Sequence, residues 1–476
     1  MLTQMDRGRR PTRALATLAI VTALALAVAA CSGDDDSDTS DSGADAAGSI
    51  AADDAETTEP STSEAPTSDT TSDTAEAGPG PTDAVSESTD ASSESTDASS
   101  TETAADTTSD MSAEEQATVE AAIAAGMARV DGYGLTPPAL YVGIWDPATG
   151  SYLTAQGEAE PGRAATLDDH YRIGSTTKTF TAGVVLQLVD EGELSLDDTI
   201  GTLLPDLAAA HPEIADITVE SLLRMKSGIQ DYLNVSESVV ADVVADPARV
   251  WAPEELIDAA LQREVEPEGT PGYSTTNFII LQLIAESITG TPLPELIRTR
   301  LLEPLGMSES SLPIDDPSLP EPYAAGSLNG GCVLELLEDG ATDVDLDTDP
   351  TDWTISYAQG GGGMTSTLSD LGLWADSNSG NTFLGPDLQT ARLDADSPIQ
   401  GPEIYGLGIL QLGDNWYGHP GEAIGWQSLV LHDPETGVSV AFASNVCNGE
   451  DLLYWSILNE LYPNPALDEF LTSQGV

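Results

Sequence analysis

Lysine is nearly absent from this chain: among 476 residues only Lys178 and Lys226 occur, and lysine plus arginine number 15 against 81 acidic residues. The formal net charge of -66 excludes nucleic acid as a partner, because phosphate binding needs clustered cations. It equally excludes peripheral docking on an anionic membrane face. Aromatic residues are few, at 5%, yet apolar residues reach 40%, enough for a sizeable core. Histidines are four (His170, His211, His419 and His432) and lack metal-ligand spacing, so neither a metal nor a cofactor is expected. Cysteines are three: Cys31, Cys332 and Cys447. The glycine run at 360–363 lacks the Lys and Ser/Thr of a phosphate loop.

What is present falls into three parts. Arg7, Arg9, Arg10 and Arg13 form a basic flank, Ala14–Ala30 an apolar stretch, and small residues precede Cys31. That is the layout of a signal peptide, and the cysteine at its end resembles a bacterial lipobox. Residues 1–31 are thus expected to direct export, with Cys31 lipidated and the protein held on the outer face of the cell membrane. An uncleaved membrane anchor is the alternative. Residues 32–112 are mostly Ser, Thr, Asp, Ala and Glu with no Lys or Arg, too poor in large apolar groups to offset ordering entropy. They read as a disordered acidic tether. Residues 113–476 read as the folded body. With Cys31 set aside, Cys332 and Cys447 are an even pair in an oxidising compartment; a disulfide is expected, two free thiols being the alternative.

Within the body, "EEQATVEAAIAAGMARV" reads as an amphipathic helix, and "LYVGIWD-PATG-SYLTAQG" as a hairpin around a Pro/Gly turn. "STTKTFTAGVVLQLVDEG" reads as a helix closed by Gly192. A largely helical middle follows. Near the end, "YGLGILQL" and "WQSLVLHD-PETG-VSVAFASN" read as three strands, and "EDLLYWSILNELY" as the closing helix. Strands at both ends with helices between predict an α+β fold: one antiparallel sheet of N- and C-terminal strands, flanked by helices, with a mainly helical insertion.

One of the two lysines stands three residues after a serine, at the opening of an apolar helix. Positions three apart share a helix face, so Ser175 and Lys178 point the same way. A serine hydroxyl becomes a nucleophile when a base takes its proton. A lysine can do this if burial holds it neutral. A capping serine followed by a surface lysine is the competing reading, and further elements in fixed order weigh against it. Tyr273, in "PGYSTTNFIILQLIAESITG", precedes another apolar helix and can exchange protons. His419-Pro420-Gly421 opens onto a strand, where glycine admits a ligand and edge N–H groups can meet an oxyanion. Pro420 suits an edge strand.

Together these residues resemble the serine β-lactamase and penicillin-binding family, with its Ser-x-x-Lys, Tyr/Ser-x-Asn and Lys/His-Thr-Gly elements. The class C β-lactamase and D-Ala-D-Ala carboxypeptidase branch is nearer, since its second element begins with Tyr. The runs "ITVESLLRMKSGIQDY", "LLEPLGM", "QGGGGMTSTLSDLGLW" and "YGLGI" add to the likeness, and the Gly run is then implied to be a tight turn near the site. The resemblance implies Ser175 as acylated nucleophile, Lys178 as its proton acceptor and Tyr273 as acid/base for the leaving group. His419 and Gly421 would line the substrate strand, with the amides of Ser175 and Glu422 as the oxyanion hole. Thr275 stands where Asn is usual, and Pro420 where Thr is usual; Asn277 is not a substitute. Lys226 is expected at the site rim or surface, without a catalytic role. The implied activity is acyl-enzyme hydrolysis of an amide or ester, carboxypeptidase-like or esterase-like, on a small molecule or peptidoglycan peptide. β-Lactamase action and an inactive binding protein are the alternatives.

Overall fold

A computed structural model of the protein describes residues 105–131, 136–235, 237–329, 345, 348–380, 383–399, 401–447 and 452–474, all within one compact unit, Ser95–Val476. Cys31 and Cys332 lie outside the described residues, as do the expected signal peptide and almost all of the tether. Cys447 is disulfide-bonded. Among the described residues no helix is long and apolar enough to cross a membrane.

The backbone is built around one antiparallel sheet. Its strands are β1 (Asp106–Ser109), β2 (Ala139–Asp146), β3 (Gly150–Glu160), β4 (Arg163–Ala164), then, late in the chain, β7 (Ser397–Pro398), β8 (Glu403–Tyr405), β9 (Leu410–Leu412), β10 (Trp416–Ala423), β11 (Trp426–Asp433) and β12 (Val438–Ser444). The order β1-β3-β2-β12-β11-β10-β9-β8-β7 joins N-terminal to C-terminal strands through the β2–β12 pair, with β4 on β3. The remaining two, β5 (Tyr171–Arg172) and β6 (Thr365–Ser366), pair with each other beside the site. The predicted first hairpin closes with Asp146 opposite Gly150, and the last with Asp433 opposite Val438.

Side-chain alternation explains the layering. On one face Phe442 stacks on Tyr454 of helix Leu452–Leu461, with ring centroids 5.4 Å apart. That helix meets helix Ala113–Asp131, where Gly126 admits Ile457. On the other face Gly143 and Gly372 both lie against the Trp145 ring, which lets helix Leu368–Ser379 approach the sheet. Beneath it runs helix Thr177–Asp190, tied on by Phe180 stacked on Trp374 at 3.8 Å and by the Trp374 Nε1 bond to Thr179 Oγ1 at 2.8 Å. Gly192 ends this helix as expected, at φ +75°.

Three expectations need correction. Paired structure begins at Asp106, inside the stretch read as tether, because β1 binds β3 from Asp106 opposite Ala155 to Ser109 opposite Tyr152. Its Asp-Thr-Thr-Ser sequence has no apolar alternation to reveal it; it is an edge strand held by backbone pairing. His419–Gly421 do not precede a strand but lie within one, β10, as the resemblance implied; its Gly and Pro hide it from the periodicity. A further helix, Pro465–Ser473, follows the one expected to close the chain; Asn464 caps it by accepting from the Ala466 and Leu467 amides.

Candidate active site

Ser175 sits in a short 3₁₀ turn, Gly174–Thr176, that runs directly into helix Thr177–Asp190. The turn demands glycine before the serine. Gly174 has φ +49°, and a Cβ there would fall 2.4 Å from the Glu422 carbonyl oxygen. The same contact presses the Glu422 backbone of β10 against the nucleophile turn. Thr176 and Ser428 add to the seam: Thr176 Oγ1 donates to the His419 carbonyl at 3.1 Å, and Ser428 Oγ to the Ile173 carbonyl at 2.9 Å. Glu422 thus lies against Gly174, the residue that precedes Ser175 in the turn.

Lys178 is fully buried, one turn along from Ser175. Its Nζ lies 3.0 Å from Ser175 Oγ, 3.3 Å from Thr275 Oγ1 and 2.7 Å from the Gly361 carbonyl oxygen. It also faces the rings of Tyr273 and Phe278, at 4.9 and 5.7 Å from their centroids. Burial lowers its pKa from 10.5 to about 7, while Asp231 pulls the other way. The amine is thus available as a base near neutrality.

Tyr273 precedes helix Thr275–Thr289 and hydrogen-bonds Ser175. Burial raises its phenol well above the usual value, and the carboxylates of Asp231, Glu422 and Glu403 add to this. It is a neutral phenol, a donor and proton carrier rather than a resident base. His419 is buried; its Nε2 lies 2.8 Å from the Tyr405 hydroxyl and its Nδ1 meets the Pro420 carbonyl. Burial and the nearby Lys178 lower its pKa to about 3, so it is uncharged. Pro420 needs no partner for a missing N–H here, since β9 pairs β10 only from Trp416 to Gly418.

Three residues without an assigned role join the site. Gly361, in the helical turn Gln359–Gly362, supplies the carbonyl closest to the Lys178 amine. Asp231 takes both the Thr275 amide and the Thr275 hydroxyl on Oδ2, each at 2.9 Å. Its sequence signal was present in "SGIQDY", 44 positions upstream, but nothing local told this carboxylate from the chain's many others. Glu403 is half-buried near Glu422; burial first and that charge second push its pKa up to about 7.

Asn277 does not reach Lys178; its side chain accepts from Ser227 Oγ at 2.7 Å and donates to the Leu222 carbonyl. Lys226 pairs with Asp396 at 2.7 Å. His211 and His432 bind Asp258 and Ser439, and among the described residues no cluster suited to a metal occurs.

The family model described as beta-lactamase matches residues 119–455. The chain belongs to that family. A D-aminopeptidase of Brucella anthropi is 28% identical over 311 residues, covering 62% of this chain and 54% of the relative. Esterase EstB of Burkholderia gladioli is 26% identical over 301 residues, covering 60% of this chain and 73% of that esterase. This chain thus spans about half the length of the D-aminopeptidase it matches. Among solved structures, a D-stereospecific amidohydrolase from Streptomyces sp. superposes with TM-score 0.62 at 25% identity, over 72% of this chain and 98% of that one.

Proposed function

We propose that the protein is a serine hydrolase that cleaves an amide or ester through an acyl-enzyme on Ser175. One observation carries this reading: a fully buried lysine amine, near-neutral in pKa, 3.0 Å from a serine oxygen at the head of a helix. Ser175 Oγ attacks the acyl carbon and its proton passes to Lys178 Nζ. The oxyanion forms between the Ser175 and Glu422 backbones, where oriented N–H groups stabilise it without reorganisation. The intermediate then collapses, and the proton moves through the Tyr273 phenol to the leaving nitrogen or oxygen. Water attacks the ester, its proton returning along the same chain, and Ser175 is released.

Substrates bearing a carboxylate beside the scissile bond fit poorly. His419 is uncharged, so no cation on this strand meets such a carboxylate, and Pro420 offers no hydroxyl to bind it. That favours amide or ester substrates without such a carboxylate over D-Ala-D-Ala peptides and β-lactams. The names of two matched relatives, a D-aminopeptidase and an esterase, run the same way. A rate comparison on D-amino acid amides, p-nitrophenyl esters, D-Ala-D-Ala peptides and a chromogenic cephalosporin tests it. The reading expects the first two classes to be turned over. Preferential cleavage of the peptide or cephalosporin contradicts the substrate choice; turnover of none favours the inactive binding protein.

The N-terminal pattern supports a site of action outside the cell membrane, with Cys31 lipidated and residues 32–112 mainly serving as tether. Labelling with a radioactive fatty acid in the native host tests this; Cys31→Ala should abolish it, and labelling that survives the change counts against the anchor.

A further inference from the structure

A neutral amine has two N–H protons and one lone pair. It can activate Ser175 only if the lone pair, not a proton, faces the serine. Three oxygens surround the Lys178 nitrogen: the Gly361 carbonyl at 2.7 Å, Thr275 Oγ1 at 3.3 Å and Ser175 Oγ at 3.0 Å. The Gly361 carbonyl can only accept, which commits one proton. The Thr275 hydroxyl has a single proton of its own and could in principle give it to the amine, occupying the lone pair that Ser175 needs.

Asp231 removes that option. Its Oδ2 takes the Thr275 hydroxyl proton at 2.9 Å and the Thr275 amide at 2.9 Å, so Thr275 Oγ1 turns a lone pair toward Lys178. Oδ1 is held by the Leu233 amide at 3.0 Å, which fixes the carboxylate's own orientation. Thr275 and Asp231 are both buried, at 3% and 5% exposure, so bulk water does not substitute for these partners. Both amine protons then have acceptors, and the one remaining direction, toward Ser175 Oγ–H, receives the lone pair.

We infer that Asp231 and Thr275 together are positioning residues that aim the Lys178 lone pair at Ser175, replacing the asparagine usual at this place in the family. The inference rests on the hydrolase reading. It also accounts for the step that follows. When the serine proton arrives, the ammonium has three N–H groups and three oxygens to receive them, and the Asp231 charge stands behind Thr275. The charged and titratable groups around the amine are Asp231, which raises its pKa against the larger effect of burial; His419, kept neutral by burial first and by Lys178 second; and Tyr273, a neutral phenol. Without Asp231 the amine loses the anion that favours its protonated form, and its pKa falls further.

The test measures the second-order rate at which a fluorophosphonate acylates Ser175 in the purified protein as a function of pH. In that step the Oγ–P bond forms, P–F breaks, fluoride departs and the proton goes to Nζ. Asp231→Asn should slow labelling by at least about 10-fold and move the acid limb of the profile to lower pH. Thr275→Val should slow it comparably, Thr275→Ser should restore it, and the double variant Asp231→Asn/Thr275→Val should be no slower than the worse single one. A purely structural role lowers the labelled fraction but leaves the limb where it was. An unmoved limb in Asp231→Asn, full activity in Thr275→Val, or effects that multiply would overturn the inference. If Asp231→Asn does not fold, Thr275→Val against Thr275→Ser decides. No labelling of the unaltered protein overturns the hydrolase reading itself and the inference with it.

Discussion

Replacing Lys178 with methionine should destroy acylation and at the same time stabilise the fold. The methionine side chain has similar length and no charge to desolvate. Keeping the amine in its buried niche lowers its pKa from 10.5 to about 7, which at 1.36 kcal/mol per pH unit amounts to about 5 kcal/mol. The sign follows from proton binding. Between those values the unfolded chain holds more protons than the native state, so stability rises with pH through the window. The penalty is therefore complete below about pH 7, fades as pH increases, and is gone above the unfolded value. Methionine removes it but leaves the Gly361 carbonyl without its donor, a loss of about 1–3 kcal/mol. Lys178→Met should then gain about 2–4 kcal/mol near neutrality, and the gain should shrink by about 2–3 kcal/mol on going to about pH 9. Urea unfolding of both proteins across that range measures it. A stability difference that is flat with pH, or a variant less stable throughout, refutes the premise that Lys178 is held neutral by burial.

Gly174→Ala forces a side chain into φ +49° and against the Glu422 backbone, so a loss of about 3 kcal/mol or more is expected, together with loss of Ser175 labelling, read by thermal melt and probe. Tyr273→Phe should lower kcat about 100-fold with little change in stability, because the proton relay is removed while the packed ring stays; near-normal turnover would remove Tyr273 from the chemistry. Tyr405→Phe takes away only the partner of His419 Nε2, so KM should rise while kcat nearly holds, at a stability cost of about 1 kcal/mol; a collapse in kcat would show that His419 acts in the chemical step.

Periodicity exposed the elements whose burial is one-sided. The first hairpin, the nucleophile helix and helix Thr275–Thr289 carry apolar faces and defined ends, the last closing on Gly290 at φ +67°. β1 and β10 gave no such signal: one is a polar edge strand, the other is interrupted by Gly418, Pro420 and Gly421 exactly where substrate backbone is expected to approach. In the site, the spacing of Ser175 and Lys178 was readable because a helix turn fixes it. Gly361 and Asp231 were not, because their roles come from a carbonyl that reaches the lysine and a carboxylate that reaches Thr275 only after the helical middle folds back. The scarcity of lysine made Lys178 conspicuous; the abundance of acid hid Asp231.

The most direct measurement of the central claim is intact and peptide mass spectrometry after exposure to a fluorophosphonate probe. The account predicts a single adduct, on Ser175, forming faster as pH rises through about 7 and absent in both Ser175→Ala and Lys178→Ala. An adduct on another residue, or equal labelling of Ser175 when Lys178 is alanine, would contradict it.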